Sequence, residues 1–276
     1  MSKNMNKPKS VLTIAGSDSV GGAGIQADIK TIFSLGLYAA SAITAITAQN
    51  TCGVRKIQAV GSDVLAAQID AVLEDLPISA IKIGMVYTKE NVLAIKQSLR
   101  QNNYRGHLVL DPVLVATSGD QLATTDFLNT LTAELFPLCD LLTPNLSEAE
   151  SICGRKILSV NDMAEGGKWI IEWYGCRNVL VKGGHATGNE MMDVLVMQNG
   201  EVKTFSASKI DSENTHGTGC TLSSAIASYL AMGHSLEESI AHGKDYVYHA
   251  IAAAKDCKMG HGHGSTNHFW KLKGEN

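Results

Sequence analysis

Residues 214–230 read NTHGTGCTLSSAIASYL, and their types and spacing are those of an anion site. Gly217, Thr218 and Gly219 make a turn almost free of side chains, and Cys220 follows at once. Leu222, Ala225, Ile226, Tyr229 and Leu230 then recur at helical spacing. Backbone N–H groups converging at such a turn, with the positive end of the following helix dipole behind them, form an anion hole. The same residues also read as a plain glycine turn ahead of a core helix, and the motif alone leaves the two level. Lys182 bears on the choice. It closes the apolar run NVLVKGG, so its ammonium either snorkels to solvent or points at an anion beyond a strand end.

Carboxylates and a carboxamide stand at comparable places. Asp111 ends LVLD ahead of Pro112, while Asn145 and Glu148 flank a strand-to-helix junction. Magnesium in phosphoryl transfer takes one or two carboxylates and completes its shell with water and phosphate oxygens. A capping or first-turn role explains Glu148 at least as well, and Asp111 is open to both readings. Gln49 ends an apolar run in QNT. A carboxamide sets one donor beside one acceptor, the complement of the ring nitrogen and amino group of an aminopyrimidine; a residue bonding its own loop fits equally. The loop GSDSVGGAG contains GAGIQA, a loose dinucleotide fingerprint, but the second strand ends in Gln49-Asn50-Thr51 with no acid to hold a ribose. No G-x-x-x-x-G-K-[ST] occurs. The thiol of Cys220 is lowered by a helix N-terminus and raised by nearby phosphates, and the sequence does not decide between them.

The elements that must hold these residues alternate. Apolar runs at 10–16, 39–51, 80–85, 106–114, 141–145 and 178–185 read as buried strands. Helical patterns at 25–36, 64–76, 88–100, 146–153, 161–175 and from Cys220 and Leu236 onward lie between or after them, and 191–206 reads as a hairpin around QNG. The alternation predicts one α/β domain with a mostly parallel sheet between helix layers, residues 1–9 being a disordered tail. Ligands of such sheets sit beyond the carboxyl ends of the strands, where the polar and glycine clusters fall.

The composition suits that class. The chain has 276 residues, 45% hydrophobic and 18% charged, with a formal charge of −4. No basic block marks a nucleic-acid or membrane partner, and no signal peptide or membrane span is read. Six scattered cysteines without C-x-x-C predict free thiols in the cytoplasm. The histidine-rich GHGHGSTNHFW reads as a solvent-facing loop bordering a nucleotide, without the third ligand a metal site needs.

The motifs TIAGSDSVGGAGIQADIKT, TAQNTCGV, KIGM, LDPVLVATSGD, LTPNLSEAE, VKGGH and NTHGTGCTLSSAIA follow one another from about residue 10 to 270. Together they resemble the hydroxymethylpyrimidine/phosphomethylpyrimidine kinases of thiamine biosynthesis, in the ribokinase-like superfamily. The resemblance implies a single-domain αβα sandwich that phosphorylates 4-amino-5-hydroxymethyl-2-methylpyrimidine and then its monophosphate, with ATP and Mg2+, as a homodimer. It places Gly217, Thr218, Gly219 and Cys220 at the transferring phosphoryl group. Cys220 stands where sugar kinases of the superfamily carry an aspartate base. Lys182, Thr218 and Asn145 would hold ATP, Glu148 and Asp111 the metal. Gln49 would read the pyrimidine, with Gly16, Asp28, Met85 and Val113 around the ring. Two other readings stand: a pyridoxal kinase of the same branch, and a pyrimidine-binding protein without catalysis.

Overall fold

The computed structural model describes residues 9–114, 125–183 and 190–272. The expected disordered tail, apart from Lys9, and Gly184 and His185 of VKGGH lie outside them. Nine strands form one sheet: β1 (Ser10–Asp18), β2 (Tyr38–Asn50), β3 (Gly53–Ala59), β4 (Ile78–Ile83), β5 (His107–Leu110), β6 (Leu141–Leu142), β7 (Asn178–Gly183), β8 (Glu190–Met197) and β9 (Val202–Ser208). Their order is β3-β2-β1-β4-β5-β6-β7-β8-β9. The six strands from β2 to β7 pair in parallel, and β3, β8 and β9 add antiparallel edges. The family's single-domain ribokinase-like α/β fold is therefore present.

Alternation along the parallel strands builds both faces. Leu12, Ile81, Leu110 and Leu142 point to one side, toward α2 (Ser62–Asp75), α3 (Lys89–Gln101), α4 (Thr125–Glu134), α5 (Leu146–Cys153) and α6 (Val160–Tyr174). Their neighbours Val11, Ala80, Val109 and Leu141 point to the other. There they meet Ile32 of α1 (Gly24–Ser34), Leu222 and Ile226 of α7 (Thr218–Met232), and Ile240 and Val247 of α8 (Leu236–Ala254). Burial on both faces is why these strands read as continuous apolar runs. Ser, Ala and Gly let α7 lie close to the sheet, and ten of its residues are buried.

Two elements were not legible. β3 carries Arg55, Lys56 and Gln58 and is mostly half-buried or exposed, as a charged edge strand is. α4 carries a helical pattern in which only Phe127, Leu131 and Thr132 are buried. Among the described residues, no helix is long and apolar enough to cross a membrane. The six cysteines are free.

Candidate active site

The carboxyl ends of the parallel strands open into two adjoining cavities of about 400 and 590 Å3. The first is lined by Gln49, Met85, Cys220 and Glu148 among others. The second is walled by Leu222, Val247, Tyr248 and Ile251 and carries Lys244. Asn145, Lys182, Thr215, Thr218 and Gly219 line both. The glycine turn and the lysine thus form the junction between two chambers.

The turn is built by close approach. Gly217 has φ +80°, and a Cβ there would lie 1.8 Å from the carbonyl oxygen of Gly22, so the α7 turn rests on the loop after β1. No side chain caps α7. Thr218 N–H donates back to Thr215 O at 3.2 Å, and among the described residues the amides of Gly217, Gly219 and Cys220 have no acceptor. Thr218, expected to contribute its amide, contributes position instead, while Cys220 offers an N–H as well as a thiol. Three open amides at a helix start favour an anion.

Lys182 and Asp111 meet beside the turn. Lys182 Nζ donates to Asp111 Oδ1 at 2.7 Å, and Thr143 Oγ1 donates to the same oxygen at 3.1 Å. A Cβ on Gly219 would sit 3.3 Å from Lys182 Nζ and 3.4 Å from Asp111 Oδ2, so a side chain there would crowd the pair. Burial works against charge on Lys182, but Asp111 and Glu148 more than offset it, and its pKa is raised. Asn145 and Glu148 form a reciprocal capping box at the start of α5, so the capping role weighed for Glu148 is filled. Its carboxyl also lines the first cavity and is pushed up to about 7, first by burial and then by the neighbouring Asp111, against the pull of Lys182.

Cys220 faces the first cavity. Burial pushes its thiol up to about 11; Lys82 and the Gly24 amide pull downward without prevailing. Asp28 and Asp111 add to the upward push. One turn further along α7, Ser224 Oγ donates to Asp28 Oδ1 at 2.7 Å, and Thr13 Oγ1 donates to Asp28 Oδ2 at 2.6 Å. Lys82 Nζ donates to both Asp28 oxygens, at 2.9 and 2.8 Å, with both side chains at 0% exposure. Asp28, expected at the pyrimidine, does not line the cavity. It is the centre of a buried network joining α1, β1, β4 and α7 beneath Cys220. Lys82, a lone cation in an apolar strand, was the available signal for it.

Gly16, Gln49, Met85 and Val113 line the first cavity with Asp111 and Glu148. Gly16 leaves room for Met85, whose Cε would stand 2.2 Å from an added Cβ. Sequence reasoning missed Asp18 and His216, which line the same cavity. His216 Nε2 lies 2.9 Å from Asp18 Oδ2. Asp18 also accepts from the amides of Val20, Gly22 and Ala23. The glycine loop that resembled a dinucleotide fingerprint thus wraps the protein's own carboxylate. The C-terminal GHGHGS segment is not at the second cavity. His261 and Gly262 donate their amides to Thr51 Oγ1, and Gly264 O accepts from His216 N–H at 3.1 Å. It packs against Thr51, Asn214 and His216, and Gly262 and Gly264 leave no room for a side chain against Thr51 and Asn214. Among the described residues no group of three or more His, Cys, Asp or Glu could hold a metal by itself.

Comparison with known proteins identifies the family of the chain. A family model described as phosphomethylpyrimidine kinase matches residues 18–267. The chain is 48% identical over 264 residues to the hydroxymethylpyrimidine/phosphomethylpyrimidine kinase of Rhizobium meliloti (strain 1021), covering 94% of this chain and 98% of that protein. The crystal structure of phosphomethylpyrimidine kinase from Clostridium difficile 630 is 45% identical with TM-score 0.77, covering 88% of this chain and 99% of that one. The pyridoxal kinase of Staphylococcus aureus in complex with AMP-PCP and pyridoxal is 30% identical with TM-score 0.85, covering 97% and 96%.

Proposed function

The chain belongs to the phosphomethylpyrimidine kinase family, and from that premise we propose how its two chambers carry out ATP-dependent phosphorylation of 4-amino-5-hydroxymethyl-2-methylpyrimidine and then of its monophosphate, in thiamine biosynthesis. One observation carries the assignment of parts: the two cavities share only Asn145, Lys182, Thr215, Thr218 and Gly219, all at their junction. A kinase must bring donor phosphate and acceptor oxygen together at one place while binding the rest of each molecule separately.

The apolar second chamber suits the nucleoside, with Lys182, Asn145 and Thr218 along the phosphates. The first chamber takes the pyrimidine between Gly16, Gln49, Met85 and Val113. The open amides of Gly217, Gly219 and Cys220 face the phosphoryl group as charge redistributes over its oxygens. Preorganised donors of this kind cost no reorganisation during transfer. Lys182 arrives already charged, held by Asp111.

The donor set fits magnesium. Asp111 and Glu148 are two carboxylates that line one cavity beside Lys182. Two carboxylates are what magnesium takes when phosphate oxygens supply the rest. Bound there, the ion supplies further positive charge to the phosphates; Glu148 and Asp111 would hold it. Cys220, neutral at working pH, orients the acceptor hydroxyl with its thiol. A cytoplasmic homodimer completes the proposal.

The test is ADP release with ATP, magnesium and one acceptor at a time: the alcohol, its monophosphate and pyridoxal. Turnover of the first two supports the reading. Turnover of pyridoxal alone replaces it with the activity of the structurally similar pyridoxal kinases, and binding without turnover leaves a pyrimidine-binding protein. Light scattering on the purified chain checks the dimer.

A further inference from the structure

The Gln49 carboxamide is held between two groups whose own hydrogen bonds dictate which way round it sits. Its backbone is pinned first: Ser19 Oγ donates to Gln49 O at 2.7 Å and accepts from Gln49 N–H at 2.8 Å. On one side of the amide stands His216, 5% exposed. Its Nε2 lies 2.9 Å from Asp18 Oδ2 and 3.3 Å from the Gln49 carboxamide, whose Nε2 the structure sets on this side. Burial works to raise the Asp18 pKa, but His216 and the loop amides prevail and lower it. A carboxylate only accepts, so the proton between Asp18 and His216 belongs to Nε2. The amide atom facing Nε2 must then be an acceptor, the carbonyl oxygen.

The other side makes the same demand independently. Thr47 Oγ1 lies 3.3 Å from Gln49 Oε1 and 2.9 Å from Ser17 O, and its single proton goes to the shorter contact, Ser17 O. Only lone pairs are left to it, so Gln49 must present N–H there. The two ends of a carboxamide have nearly the same shape, and the hydrogen-bond network assigns them. Here the network calls for the carboxamide to be turned over from the orientation in the structure, with oxygen toward His216 and nitrogen toward Thr47, leaving one lone pair and one N–H for a ligand. His216 itself cannot drift. Its backbone N–H donates to Gly264 O, and Gly22 packs so close that an added Cβ would stand 2.4 Å from His216 Cδ2.

We propose that His216 is a positioning residue that sets the orientation of the acceptor through Gln49, and that it thereby selects a 4-amino over a 4-oxo pyrimidine. This rests on the pyrimidine reading above. The amide oxygen on the His216 side accepts from the exocyclic amino group, and the amide nitrogen on the Thr47 side donates to the ring nitrogen. The hydroxymethyl group is on the ring carbon next to the one bearing the amino group. An amino group turned toward His216 therefore carries the hydroxymethyl toward Gly217–Cys220, which follow His216 in the chain and line the same cavity. The reverse docking carries it away from the phosphate. A 4-oxo ring offers an acceptor where the amino group donates and an N–H where the ring nitrogen accepts, so the fixed amide opposes it twice.

The experiment measures kcat/KM for the 4-amino alcohol and its 4-oxo analogue. Wild type is expected to prefer the amino compound by about a hundredfold, as a bidentate pair discriminates. His216→Phe keeps a ring and removes the donor, and the preference is expected to fall about tenfold, through gain on the oxo compound. His216→Gln returns an N–H near the place of Nε2 and should keep most of the preference. Thr47→Val removes the opposite restraint and carries the same test should His216→Phe fail to fold. A ratio unchanged in His216→Phe or Thr47→Val overturns the proposal, as does a His216→Gln ratio no better than that of His216→Phe. In either case turnover of the amino alcohol by wild type leaves the pyrimidine reading standing. Wild type that turns over pyridoxal and not the amino alcohol overturns that reading, and the orientation with it.

Discussion

Replacing Cys220 by alanine separates two roles for a thiol at the phosphoryl site. Burial holds the Cys220 thiol at about 11. At pH 8 about one molecule in a thousand then carries a thiolate, since each pH unit below the pKa is a tenfold loss. A neutral thiol accepts no proton, so its contribution is to orient the hydroxyl. Loss of alignment at a reacting atom costs up to about a hundredfold. Cys220→Ala is therefore expected to lower kcat/KM for the alcohol by about ten- to a hundredfold. The monophosphate brings an oxygen that is already ionised and needs no such help, so its loss should stay within about threefold. Cys220→Ser should recover most of the first step. ADP release with each acceptor reads these values. A pH series from 7 to 9 should show no tenfold-per-unit rise for the alcohol, while alkylation of Cys220, followed by peptide mass spectrometry, should climb throughout that range. Equal losses in the two steps would mean that the side chain only shapes the pocket. A tenfold-per-unit rise in rate that disappears in Cys220→Ala would make the thiolate a base and refute the argument.

Other perturbations test neighbouring parts. Glu148 titrates near about 7 in the fold against 4.5 ordinarily, so between those values the folded chain keeps a proton that the unfolded chain has lost. Wild-type stability should fall as pH rises through that window, by at most about 3 kcal/mol. In Glu148→Gln that decline should be absent in thermal melts from pH 4.5 to 8, and a parallel decline would exclude Glu148 as its source. Lys82→Met strands the Asp28 carboxylate at 0% exposure and should cost about 3–5 kcal/mol in denaturant unfolding, with Asp28→Asn added to it restoring part. Gly217→Ala forces a positive φ and a collision with Gly22, and should lose both stability and activity. Gly219→Ala has no such strain and crowds Lys182 and Asp111, so activity should fall while the melting temperature holds within a few degrees, about 1 kcal/mol.

The architecture, and the grouping of Lys182, Asp111 and the 217–220 turn at one cavity, were legible in the sequence because their signals are local. A strand buried on both faces is an apolar run, and a helix that begins at open amides is a glycine turn ahead of periodic apolar residues. The order of these signals places Lys182, Asp111 and the 217–220 turn at strand ends, as the fold holds them. What was not legible depends on partners far away in the chain. Asp28 looks the same in sequence whether it faces a ligand or Lys82, and a contact 54 residues distant decides for Lys82. The pKa of Cys220 is raised chiefly by burial, and burial is a property of the packed molecule. His216 and Asp18 are 198 residues apart, and only the closing of the α7 turn onto the β1 loop makes them a pair. Sequence determines which groups are available and on which element; packing determines the neighbour of each buried polar atom, and through it the charge, the orientation and the role.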